Sequence, residues 1–159
     1  GMEALASTLR RLAEAERRYA SELRGLAASL RYMRPLAAIV EAIARDSEKH
    51  AELYEALIPI AVGESQPRLA ESDLREVEKV IDAHIQTEVR MIEETRRLLG
   101  EVAEPRIKLI VAAIHEDEVR HHKLLLDIRD KVSRARVLTD EEFWDAVWRD
   151  SPFHGAPGG

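Results

Sequence analysis

The chain contains no cysteine. That excludes disulfides, thiolate metal sites, a cysteine nucleophile and a rubredoxin-type iron centre within the chain. Aromatic residues make up only 4% of its 159 residues. No apolar run approaches the ~20 residues of a membrane span, and the N-terminal stretch has no secretory-type apolar segment. A cytoplasmic protein is therefore the expected setting. Basic charge is also in deficit: 24 Lys and Arg face 30 Asp and Glu, a net −6. That balance argues against a nucleic-acid binder, which carries a basic face. There is no glycine-rich phosphate loop and no pattern for serine or cysteine nucleophiles, and no catalytic residue is assigned.

Helix-forming residues dominate what is present. Charged residues reach 34%, against about 25% in an average protein. Apolar residues recur at alternating steps of four and three, the pattern of a helix with one buried face. The first stripe runs Leu5, Leu9, Leu12, Glu16, Tyr19, Leu23, Leu26, Leu30. The second is Leu36, Val40, Ile43, Ser47, His50, Tyr54, Leu57. The third is Leu74, Val77, Ile81, His84, Glu88, Met91, Thr95, Leu98, and the fourth Ile107, Val111, Ile114, Glu118, His121, Leu125, Ile128, Val132. Pro35 and Pro105 suit first turns, Ser72 suits an N-cap, and Pro59 and Gly100 suit helix ends. These signals predict helices over 3–31, 35–58, 72–99 and 105–132, an all-α four-helix domain spanning 1–132. Thr139-Asp140-Glu141-Glu142 reads as a capping box opening a short helix that carries Trp144 and Trp148, within a C-terminal segment over 133–159.

The halves repeat. A shift of 71 places Ile39, Val40, Ile43, Asp46 and His50 on Ile110, Val111, Ile114, Asp117 and His121; a shift of 72 places Glu16 and Leu26 on Glu88 and Leu98. The link from Pro59 to Glu71 is long enough, at roughly 43–47 Å extended, to cross a helix of ~37 Å.

Glu16, Ser47, His50, His84, Glu88, Glu118 and His121 interrupt these stripes near mid-helix. A carboxylate taken out of water needs a partner, and a divalent metal is an efficient one. Glu118 and His121 are three apart and share a helix face, so both can hold one ion. Two Glu-x-x-His pairs with a Glu from each remaining helix form the di-iron carboxylate arrangement of helical bundles. His115 and His122 lie off the stripe and read as solvated surface; Tyr19 and Tyr54 read as core.

On Asp117-Glu118-Val119-Arg120-His121, the repeat and Glu88, the chain resembles the ferritin-like superfamily, in particular small rubrerythrin-like proteins, over about residues 3–132. The resemblance implies a four-helix bundle of two hairpins with a long crossover. It also implies non-haem di-iron chemistry with oxygen or peroxide (a ferroxidase or peroxidase), with manganese the other candidate ion. Glu16 and Glu88 would be terminal carboxylates, Glu118 would bridge two ions, and His50 and His121 would take one each. Asp46 and Asp117 would orient the histidines, and Arg120 would pair with one of these aspartates, with Lys49 its counterpart. The family implies a homodimer and a separate electron donor.

Ser47 departs from the pattern, because it stands where a second bridging Glu belongs. Four carboxylates balance two divalent ions, whereas three leave one positive charge. One ion instead of two is then a possible outcome, with His84 a candidate substitute ligand. The other reading is a bundle holding a single metal or none, acting as a structural or interaction module.

Overall fold

A computed structural model of the protein describes residues 1–135. The C-terminal capping box and tryptophan helix lie outside the described residues. The described chain is all-α: α1 (Met2–Ser29), α2 (Arg34–Ala61), α3 (Glu71–Glu101) and α4 (Pro105–Arg134), with no strand among the described residues. Two compact units divide near Gln66, one holding the α1–α2 hairpin and the other α3–α4.

The ends follow local chemistry, with three corrections. Pro35 and Pro105 sit in first turns as expected, and the Glu104 carboxylate caps α4 by accepting from Arg106 N (2.8 Å) and Ile107 N (3.0 Å). Pro59 does not end α2 but lies inside it. The last turn persists because Ala61 is buried against Ala6 and Leu9, with Tyr54, Ile58 and Val62 packed around them. That burial offsets the ladder bond that proline cannot donate. Gly63 follows at φ 82°, a left-handed conformation that glycine adopts without strain. Gly100 stays helical, and α3 runs on to Glu101 before extended backbone at Val102 leads to the Glu104 cap. Ser72 lies inside α3, whose N-cap is Ala70.

The α1–α2 hairpin closes on small residues. Ala6, Ala13, Ala20 and Ala27, spaced by seven, are buried on α1; Val40, Ala44, Ser47 and Ala51 are buried on α2. Alanine seams let helix axes approach to the short end of the usual 8–10 Å range. The large apolar residues expected in the core are therefore only partly covered: Leu5, Leu12, Tyr19 and Leu26 are exposed. Tyr19 is thus not core in this hairpin, whereas Tyr54 is half-buried. Two helices touch along one line only, and that line follows the smallest side chains. Exposed ion pairs flank it, Arg17–Glu55 at 2.8 Å and Arg24–Glu48 at 2.7 Å. Such pairs set register more than stability.

The α3–α4 hairpin uses larger residues at the matching positions. Ile85, Ile92 and Leu99 stand where α1 has Ala13, Ala20 and Ala27, and His115, Glu118 and His122 stand where α2 has Ala44, Ser47 and Ala51. Leu74, Ile85, Thr95, Val111 and Val132 are buried there.

Candidate metal centre

The repeat gives each hairpin one group of polar residues at mid-helix. In the second, Glu88 comes from α3 and Glu118 and His121 from α4. One ligand atom from each lies within 4.8 Å of the others, a spacing that a single ion can bridge. Glu88 and Glu118 are half-buried and His121 is exposed, so the group is open on its imidazole side. Glu88 Oε2 is buried without a hydrogen-bond partner. Two ionised carboxylates offer each other no donor, so their approach calls for a proton or a cation. Glu118 accordingly holds its proton above the usual carboxylate range. The hydrogen bond it shares with Glu88 is the main cause, followed by burial and by the Glu88 charge, while His121 acts in the opposite sense. The donor set of two carboxylates and an imidazole suits iron or manganese.

In the first hairpin Glu16 faces His50, with Nδ1 3.5 Å from Oε2. Glu16 Oε2 is buried and makes no hydrogen bond. Ser47 does not join them. It is 5% exposed and belongs to the alanine seam. Both Ser47 of α2 and Ala20 of α1 are buried in the hairpin.

The aspartates pair with cations on their own helices. Arg120 contacts Asp117 three residues away, and Lys49 contacts Asp46 at 3.3 Å. His84 sits one turn before Glu88, exposed and outside the three-residue group.

The off-stripe histidines are not solvated surface. His115 is half-buried, with Nδ1 2.7 Å from Thr95 Oγ1. The Thr95 hydroxyl also lies 2.9 Å from Met91 O, so with its hydrogen directed there His115 Nδ1 carries the proton and donates. His122 is half-buried too, and its Nδ1 is buried without a partner. Their positions parallel Ala44 and Ala51 of the first hairpin, and that is the signal that could have placed both on the seam.

No family model matches the chain, and comparison with curated proteins and with solved structures returns no match.

Proposed function

We propose that this protein is a non-haem metalloprotein of ferritin-like, rubrerythrin-like type. Glu88, Glu118 and His121 hold a divalent transition metal, iron in the first instance and manganese as the alternative. The observation that supports it is the approach of two half-buried carboxylates and an imidazole within 4.8 Å, with Glu88 Oε2 buried and unbonded. A cation held there would satisfy Glu88 Oε2 and offset the charge repulsion between Glu88 and Glu118.

Bound iron would supply one-electron redox chemistry toward oxygen or peroxide, as in a ferroxidase or peroxidase. The chain's own residues do the rest. Glu88 and Glu118 neutralise the ion's charge, and His121 supplies a nitrogen donor on the open side. Arg120 draws the charge of Asp117 away from the ligand turn. With no cysteine for an attached iron centre, electrons come from a separate donor. Among the described residues no helix is long and apolar enough to cross a membrane. A cytoplasmic setting is part of the reading.

A second reading, a bundle with one metal or none acting as a structural module, is favoured by the first hairpin. There Ser47 is buried in the seam, and Glu16 and His50 already face each other. Anaerobic ferrous loading followed by elemental analysis separates the two. Iron retained by the native chain and lost from Glu118→Ala and His121→Ala supports the metalloprotein, and oxygen and peroxide consumption then tests its chemistry. A native chain that retains no iron leaves the structural module.

A further inference from the structure

The two hairpins hold their helices in register by different means. In the first, Arg17–Glu55 and Arg24–Glu48 link α1 to α2 along one edge. The repeat places Val89 and Leu126 where Arg17 and Glu55 stand, and Arg96 and Val119 where Arg24 and Glu48 stand. Arg96 pairs instead with Glu93 of its own helix, at 3.6 Å. Among the described residues, the second hairpin therefore has no ion pair between helices at these positions. Asp82–Arg129 at 3.3 Å and Glu78–Ser133 at 3.4 Å do join α3 to α4, toward the start of one and the end of the other. Both contacts are exposed, and exposed contacts of this kind hold little.

Closer to the metal-ligand group the helices are joined by Thr95 and His115. Thr95 is 8% exposed, and its Oγ1 accepts from His115 Nδ1 across 2.7 Å. The corresponding residues of the first hairpin are Leu23 and Ala44, which cannot make this bond. A hydrogen bond between helices resists sliding more sharply than apolar contact does, because it depends on both distance and direction. Sliding matters here. One helical turn advances ~5.4 Å. That exceeds the 4.8 Å within which ligand atoms of Glu88, Glu118 and His121 gather. His115 lies three residues before Glu118 on α4, so the bond acts about one turn from the group. A slipped register would also leave the Thr95 and His115 polar atoms without each other in a half-buried seam, which is unfavourable.

We propose that His115 and Thr95 are a positioning pair, whose bond sets the α3–α4 register in which Glu88 meets Glu118 and His121. Neither is a ligand. The inference rests on the metal reading above. Apparent affinity for an ion scales with the fraction of chains already in the competent register. One buried hydrogen bond shifts such a fraction by roughly tenfold.

Ferrous affinity of the full chain, measured anaerobically by competition with a chromophoric chelator, tests it alongside the Tm of metal-free protein by circular dichroism. Thr95→Val and His115→Leu nearly keep side-chain size and lose the bond. Each should stay folded and bind ferrous iron about tenfold more weakly. His115→Asn, whose amide can donate from near the place of Nδ1, should bind within about threefold of native. Val132→Ala opens a cavity at the end of α4, away from the group, and should lower Tm without moving affinity. Native affinity in folded Thr95→Val and His115→Leu overturns the proposal and leaves the metalloprotein standing. Affinity that merely follows Tm across all four variants does the same. A native chain that binds no ferrous iron removes the metal reading, and this inference with it.

Discussion

Replacing Ser47 by glutamate recreates by sequence the motif of the second hairpin, and it should fail as a repair. Ser47 is 5% exposed and shares the buried face of α2 with Val40, Ala44 and Ala51. Glutamate adds three heavy atoms to a seam already closed by alanines, and overpacking of that kind costs about 1–3 kcal/mol. Its carboxylate would also be desolvated with no cation on the seam, which costs several kcal/mol more or forces it to stay protonated. A combined loss of at least ~3 kcal/mol corresponds to a fall in Tm of at least ~12 °C for a cooperative unit of this size. Ser47→Ala, by contrast, should stay within about 1 kcal/mol of the native chain. Thermal unfolding followed by circular dichroism measures both, on metal-free protein. A Ser47→Glu chain that melts within about 2 °C of the native protein and gains an extra bound ion would refute the reasoning. It would mean that position 47 can present a ligand to the open face and that the alanine seam does not fix this hairpin.

Three other outcomes are expected. Because Glu118 binds its proton more tightly folded than unfolded, the pair's contribution to metal-free stability is fully present below the ordinary carboxylate pKa and is lost as pH rises through the raised value. Chelated protein should accordingly lose Tm over that interval, and Glu118→Gln should flatten the dependence; a native profile that rises there would contradict it. Glu104 behaves in the opposite sense. Its hydrogen bonds to Arg106 and Ile107 hold its carboxyl below the usual range, so its capping contribution is present above the unfolded pKa and lost as pH falls through the folded one. Glu104→Ala should lower Tm at neutral pH and matter less in acid. His122→Leu removes a ring nitrogen that is buried without a partner, so metal-free Tm should hold or rise; a marked fall would show that this nitrogen is bonded in solution.

The helices and the repeat were legible because both are written in periodicity, which local chemistry enforces along every turn. Glu88, Glu118 and His121 were legible because a charged residue on an apolar stripe needs a partner, and the three do converge. The line of closest packing was not. Large apolar residues draw attention in a sequence, yet the α1–α2 contact runs along Ala6, Ala13, Ala20 and Ala27, whose virtue is their small size. The same oversight put His115 and His122 at the surface. Pro59 and Gly100 misled in a different way: both are local terminators, and at Pro59 burial of the following turn prevailed. Whether Glu16 and His50 act with metal or with each other was never readable from spacing, since Glu and His at those positions serve equally for either.

The alanine seam also bears on how the two copies of the hairpin diverged. A duplicated unit starts with two equal obligations, to hold itself together and to hold a ligand. Here the first copy carries alanines at four successive seven-residue steps and a serine in place of an acid, while the second carries an acid and two histidines at the same level. On the metal reading proposed above, one copy serves as the scaffold and the other carries the reactive groups. Amide hydrogens of α1 and α2 should then exchange more slowly than those of α3 and α4 around Glu88 and Glu118, where acidic neighbours favour local opening until a cation closes it. Selection for a hardier protein would act most easily on α3–α4, and it would do so at the expense of the groups that make the chain interesting chemically.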